Sequence, residues 1–188
     1  MEEESDQALM AEVARGDAAA LRSLYLRYEA RTFNLILRLA GNRETARDLV
    51  QETFMRVWTM AGTFRGDRGS SFKAWLFTIA LNLTRDERSR KRHSARHVGT
   101  DEAGELVSPA EGPEAMLARS EAGRRVRAAL ARLPPYLREV VVLKVYQQLK
   151  FREIAEITGA PEGTLKARFH RAVGALREHI APSGGGRP

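Results

Sequence analysis

The stretch FREIAEITGAPEGTLKARFHR, Phe151 to Arg171, reads as two short helices joined by a tight turn. Ala155 is small where two helices cross, Gly159 can take the left-handed conformation of a turn, and Pro161 pre-sets the backbone for the second helix. In that second helix Leu165, Phe169, Ala172 or Val173, and Leu176 recur at the spacing of a stripe that faces a core. The opposite side carries Glu162, Thr164, Lys166, Arg168, His170 and Arg171. Mixed polar residues followed by cations suit a helix lying in the major groove of DNA, where base edges and phosphates are close together. The competing reading is the solvated face of an ordinary helical hairpin. The small-residue turn together with the basic face favours DNA.

Working outward, the same 3.6-residue period fills the rest of the chain, and no useful length alternates with period two, so an all-α fold is expected without strands. Helices are predicted over residues 114–132, 136–149, 151–158 and 162–179, with Pro134-Pro135 separating the first two and Pro135 opening the second. Further upstream, Asp17 caps a helix that runs through Leu24, Tyr25 and Tyr28 toward Leu39, before Gly41. Ala46, Leu49, Val50, Thr53, Val57 and Trp58, with Phe54 beside them, predict a helix over 44–60. Phe72, Trp75, Leu76, Ile79 and Leu83 form one apolar line of the next helix, and Ala74, Phe77 and Leu81 a second. That helix should therefore be sandwiched, with Ser70 or Ser71 as its cap.

The chain has 188 residues, 43% of them hydrophobic and 29% charged, no Cys, and a formal net charge of +7. The charge is uneven: residues 1–93 carry 16 basic and 13 acidic side chains, 94–113 carry 1 and 4, and 114–188 carry 14 and 7. Two basic helical units, 1–93 and 114–181, are expected on either side of a flexible acidic linker, 94–113, with a Gly-rich tail, 182–188, expected to be disordered. A basic surplus points first to polyanions. Zero Cys removes disulfide scaffolds, thiolate zinc sites and cysteine nucleophiles together. There is no apolar run of about 18 residues, and the opening MEEESD is acidic, the reverse of a secretory or transit leader, so a cytoplasmic protein without membrane insertion is expected. His93 and His97 stand four apart but lack carboxylate or Cys companions, so no metal is expected, and the chain carries no Walker loop, GxSxG or HExxH to suggest an enzyme or a cofactor.

A second basic signal, RDERSRKRH from Arg85 to His93, sets five cations against two acids at the end of the sandwiched helix. Phe64, Phe72, Trp75 and Phe77 lie upstream, and aromatic rings beside cations can hold a single strand by stacking. Trp58 and Trp75, at helical spacing, read first as core.

The ordered motifs resemble one family. DLVQETFMRVW, from Asp48 to Trp58, looks like the region 2 signature of bacterial extracytoplasmic-function (ECF) sigma factors, and FKAWLFTIALN, from Phe72 to Asn82, resembles the stretch that follows it. LPPYLREV from Leu133, EIAE from Glu153 and GTLKAR from Gly163 are similar to the family's region 4 pattern. The resemblance covers residues 18–179 and implies a dissociable initiation subunit of bacterial RNA polymerase that reads and helps open promoters. It assigns Asp48, Gln51, Glu52, Met55 and Arg56 to the clamp helices of the largest polymerase subunit. It assigns Phe64, Arg65, Asp67, Ser70, Ser71, Lys73, Trp75, Asn82, Arg85 and Arg88 to the −10 element, where a flipped base is captured. It assigns Glu162, Gly163, Thr164, Lys166, Arg168 and Arg171 to the −35 element. Region 4 would also meet the polymerase flap, and an anti-sigma factor is a partner the resemblance implies. The segment from Phe64 to Trp75 is about two residues longer than the family's commonest form. The alternative class, a self-sufficient helix-turn-helix regulator, usually binds as a dimer, yet no heptad dimerisation helix is present and half the chain would have no use.

Overall fold

Capping residues set most of the helix boundaries in the computed structural model, which describes residues 5–66, 71–98 and 120–180, the side chains of 95–98 aside. Every element among the described residues is helical, as expected. Ser5 caps α1 (Asp6–Val13), accepting from the Ala8 N–H at 3.2 Å. Asp17 caps α2 (Ala18–Ala40), and its carboxylate accepts from the Ala19 and Ala20 N–H groups at 2.7 and 3.3 Å. Gly41, with φ at 79°, ends α2 in the left-handed conformation that a side chain would resist. Asn42 caps α3 (Arg43–Met60), after which a 3₁₀ turn (Ala61–Thr63) leads away. Ser71 caps α4 (Phe72–Val98) through the Ala74 N–H at 3.1 Å. Ser120 caps α5 (Glu121–Arg132), Pro135 occupies the first turn of α6 (Pro135–Val141), and α7 (Phe151–Thr158) and α8 (Glu162–Ile180) close the chain.

Four boundaries differ from those expected. Helix α1 has no counterpart in the sequence reading, because Leu9, Met10 and Val13 give too short an apolar stripe to register, although all three are buried. The helix expected over 136–149 stops at Val141 and widens into a π turn, Val142–Tyr146, in which the Gln147 N–H reaches back to the Val142 carbonyl at 3.1 Å. Gln148 then takes φ at 55°, the Lys144 ammonium donates to the Leu149 carbonyl at 3.1 Å, and Leu149 is fully buried in a turn. The apolar pattern that suggested one long helix is real, but it does not distinguish an i+4 from an i+5 backbone step. Helix α5 starts at Glu121, behind the Ser120 cap, not at 114. Helix α4 continues through Val98, five residues into the expected linker that begins at 94, while residues 99–119 and the expected tail lie outside the described residues.

The sandwiched helix expected from its two apolar lines is α4. Phe72, Ala74, Leu76, Phe77, Ile79, Ala80, Leu81 and Leu83 are all buried, which takes them around most of its circumference. One flank packs on α2 and α3, and another on α7 from the second half of the chain. The two halves, expected as separate units on a tether, therefore sit against each other. The Thr78 hydroxyl donates to the Ile157 carbonyl at 3.4 Å, the Gln147 amide to the Arg31 carbonyl at 3.2 Å, and the Arg38 guanidinium lies 3.9 Å from the Tyr146 ring centroid. Among the described residues no helix is long and apolar enough to cross a membrane.

Truncating Phe77, which is 0% exposed between the α4 flanks, should lower unfolding free energy by about 3–5 kcal/mol. Urea titration of Phe77→Ala by circular dichroism measures this, and a loss below about 1 kcal/mol would contradict the packing described.

Candidate nucleic-acid interface

The turn between α7 and α8 is built as its residue types require. Gly159 takes φ at 71° and its N–H returns to the Ala155 carbonyl at 2.9 Å, closing α7. Leu165 and Ala172 anchor α8 in the core, and the Phe169 ring meets Phe151 edge-on with centroids 5.9 Å apart, fixing α8 against α7. The expected DNA-facing residues are thereby presented together: Glu162, Gly163, Lys166 and Arg171 are exposed, and Thr164 and Arg168 are half-buried. Three of them have internal partners. Lys166 is 3.9 Å from Glu162 one turn away, and the Arg168 guanidinium lies over the Tyr136 ring at 5.6 Å. A Cβ built on Gly163 would meet nothing within 4 Å, so packing within this chain does not call for a glycine there.

The face of α3 assigned to polymerase is also open. Asp48, Gln51, Glu52, Met55 and Arg56 are all exposed, with Arg56 bonded to Glu52 at 3.0 Å. Beside them α2 and α3 leave a groove of about 490 Å³, lined by Leu21, Tyr25, Phe33, Val50, Phe54 and Met55, which the sequence reading did not find.

The residues assigned to the −10 element are arranged differently. Asp67 and Ser70 lie outside the described residues. Phe64 is half-buried within an aromatic cluster, 5.3 Å from Trp75 and 6.1 Å from Phe72, and Phe72 in turn meets Tyr28 at 5.2 Å. Gly66 passes so close to this cluster that a Cβ would stand 3.0 Å from the Phe64 ring and 3.1 Å from Gln7. The Gln7 amide of α1 donates to the Gly66 carbonyl at 3.0 Å, so the unforeseen α1 helps hold the segment. Asp6 of the same helix accepts from Arg27 at 2.5 Å and from the Tyr28 hydroxyl; burial and this carboxylate hold the phenol well above its ordinary pKa. Arg65 donates to the Gly62 carbonyl at 2.9 Å, Ser71 serves as the α4 cap, and Asn82 is exposed.

Three cations of α4, Lys73, Arg85 and Arg88, turn toward acids of the second half of the chain, whereas Arg90 and Lys91 pair with Glu87 of α4 itself. Lys73 is 3.1 Å from Glu153 of α7. Arg85 makes a two-pronged contact with Glu139 of α6, at 3.1 and 2.6 Å, and Glu139 is only 7% exposed. Arg88 is half-buried; burial lowers its pKa and the Glu139 charge opposes that shift. Arg138, next to Glu139, donates to the carbonyls of Leu130 at 2.9 Å, Leu133 at 3.2 Å and Ala131, and to Leu39 of α2 at 3.4 Å. Burial, and secondarily Arg88, pushes the Arg138 pKa down to about 10, which leaves it protonated at neutral pH. Burial works against the Glu153 charge, but the Lys150 N–H and the Lys73 ammonium outweigh it and hold the carboxyl below its usual range. Sequence reasoning missed Glu139 and Glu153 as partners. The signal available was Glu139 itself, a charge set against the buried run Val140-Val141-Val142.

The comparisons with known proteins match this architecture half by half. Residues 24–94 match the family model of Sigma-70 region 2, and residues 123–176 match Sigma-70, region 4. The RNA polymerase sigma-H factor of Pseudomonas aeruginosa is 31% identical over 187 residues, 96% of each chain. The ECF RNA polymerase sigma factor SigW of Bacillus subtilis is 32% identical over 177 residues, 90% of this chain and 93% of that one. Among solved structures, CnrH in complex with the cytosolic domain of CnrY is similar with a TM-score of 0.71 at 25% identity, over 96% of this chain and 100% of that one. RpoE of Bartonella quintana, in complex with the anti-sigma factor NepR, gives 0.63 at 28% identity, over 87% and 98%. With region 2 and region 4 present in order and near-full-length relatives on both sides, this chain belongs to the ECF RNA polymerase sigma factors.

Proposed function

We propose that this chain, as a transcription initiation factor, uses three separate surfaces to bring RNA polymerase core to promoters from the cytoplasm. The α3 face of Asp48, Gln51, Glu52, Met55 and Arg56 docks on the polymerase clamp helices. The α8 face of Glu162, Gly163, Thr164, Lys166, Arg168 and Arg171 reads the −35 element. The Phe64–Trp75 segment with Asn82, Arg85 and Arg88 holds the opened −10 strand, where base stacking offsets the few kcal/mol needed to extrude a base. Its role is recognition and recruitment, with no reaction of its own. The observation that carries the reading is the exposed, partly cationic α8, pinned by Leu165, Ala172 and Phe169, in a chain that also presents an open α3 face. CnrH and RpoE were each solved with a bound protein, the latter an anti-sigma factor, which supports an anti-sigma factor as a further partner here.

Two details sharpen the −35 assignment. Arg168 resting on Tyr136 is restrained before DNA arrives, so less rotamer entropy is lost on binding. Gly163, with open space around it, suits a close approach by a phosphate backbone, since a side chain there would stand between helix and DNA.

Run-off transcription with sigma-free polymerase core and a promoter library tests the whole reading. Promoter-specific transcripts with mapped −10 and −35 elements are expected; specific, tight DNA binding without core and no transcripts would point to a self-sufficient regulator instead. Arg168→Ala or Arg171→Ala should weaken −35-dependent binding by about 1–3 kcal/mol where the side chain meets a base edge, and unchanged promoter preference in both would remove the assignment. Gly163→Ala should leave the melting temperature equal or slightly higher, because Ala is the better helix former, while −35-dependent transcription falls severalfold. Full activity in that variant would show that nothing approaches Gly163 closely. Asp48→Arg combined with Gln51→Ala should cut competition for polymerase core at least tenfold with unchanged circular dichroism; wild-type competition would argue against the α3 face.

A further inference from the structure

Helix α1 precedes residues 24–94, the part of the chain that matches Sigma-70 region 2, yet it touches the segment assigned to the −10 strand. Three buried side chains, Leu9, Met10 and Val13, seat it, and Asp6 ties its first turn to α2 through Arg27 at 2.5 Å and the Tyr28 hydroxyl. These contacts hold the helix independently of Gln7. The Gln7 side chain is exposed, and its amide donates to the Gly66 carbonyl, 3.0 Å away and 59 residues along the chain. At Gly66 the backbone has no room for a side chain. A Cβ there would stand 3.0 and 3.2 Å from the Cε1 and Cζ atoms of Phe64 and 3.1 Å from the Gln7 Cγ. Gly66 therefore lies directly against the edge of the Phe64 ring. The same ring meets Trp75 at 5.3 Å and Phe72 at 6.1 Å between centroids. Phe64 is thus held by two rings of α4 and by a backbone that α1 tethers. Arg65, between Phe64 and Gly66, donates to the Gly62 carbonyl at 2.9 Å, a bond within the segment, whereas Gln7 ties the segment to a different helix.

We propose that Gln7 is a positioning residue for −10 recognition: by holding the Gly66 carbonyl it keeps the Phe64 ring where a flipped base meets it, and so helps set which base is accepted. The inference rests on the assignment of Phe64 to the −10 strand; the contact between α1 and Gly66 is independent of it. Stacking is tolerant, because every base has a π face, whereas hydrogen bonds to a base edge depend on exact placement. Loosening the segment should therefore cost base discrimination more than it costs strand binding. A single hydrogen bond at an exposed side chain adds little to folding, so a substitution at Gln7 separates positioning from stability.

The test uses the full chain with polymerase core and a set of promoters carrying each base in turn at the mapped flipped position of the −10 element. Gln7→Met keeps length and helix propensity but removes the donor, and Gln7→Lys restores a donor. In Gln7→Met the preference for the favoured base, read as a ratio of open-complex yields, should fall about fivefold. Its melting temperature should stay within about 1 °C of the parent, and its affinity for a −35 duplex should be unchanged. Gln7→Lys should recover at least half of the lost preference. Gly66→Ala, which pushes the segment off the Phe64 ring, should lose about tenfold. An unchanged preference in Gln7→Met would overturn the proposal, as would an equal loss in Gln7→Lys, because the donor would then not matter. A melting temperature lowered by more than about 3 °C in Gln7→Met would overturn it too, since Gln7 would then act through stability. If Gly66→Ala misfolds, the two Gln7 variants, at an exposed site, decide alone. Phe64→Ala separates this inference from the reading beneath it. Preference lost there but kept in Gln7→Met strikes the positioning role alone; preference kept in both strikes the −10 assignment and the positioning role with it.

Discussion

Helix α4 is apolar around most of its circumference, and that constraint organises the molecule. A helix with one apolar stripe needs one neighbour; α4, with Leu76, Phe77, Ala80 and Leu81 all 0% exposed, needs cover on more than one flank. Helices α2 and α3 supply part of it and α7 supplies another part, which draws the second half of the chain onto the first. The aromatic group at the start of α4 follows from the same demand. Phe72, Trp75, Phe64 and Tyr28 meet at tilted or edge-on angles, and α1 closes over them through Asp6 and Gln7.

Where apolar cover stops, charge takes over. Arg85 and Glu139 pair at the margin of the core, and a two-pronged contact there is stronger than the same pair on the open surface, because less water competes for it. Removing one partner would leave the other poorly solvated, so breaking the pair costs more than the pair's net contribution to stability.

Much of this was legible in the residues, and the exceptions share a physical cause. Asp17, Gly41, Ser71, Pro135 and Gly159 act through their nearest backbone neighbours, so their roles as caps, stops and openers could be read from local order alone. The double apolar line of α4 announced its burial, and the α8 stripe announced which face was left exposed. The π turn at Val142–Tyr146 was hidden because hydrophobic spacing reports which residues go inside and not which carbonyl each N–H selects. Helix α1 was hidden because three buried side chains over eight residues make no period. The Arg85–Glu139 pair joins residues 54 apart and the Lys73–Glu153 pair joins residues 80 apart; no local pattern encodes a meeting of that kind. Among the residues assigned to the −10 element, Lys73 and Arg85 were therefore the ones whose internal partners could not be foreseen, since those partners lay across the chain.

The connection between the halves sets the last constraint. Helix α4 ends at Val98 and α5 is capped by Ser120, so residues 99–119 carry the chain across, a stretch of 21 residues that can reach no further than about 70–75 Å. Two sites on DNA separated by two helical turns lie about 68–72 Å apart, close to that limit. The connection can thus permit such a spacing but cannot impose it, because a chain near full extension costs entropy and a shorter one would be favoured. If the two halves read DNA at such a spacing as proposed, something outside the chain must hold them at it, and the α3 face proposed for polymerase is exposed for that contact.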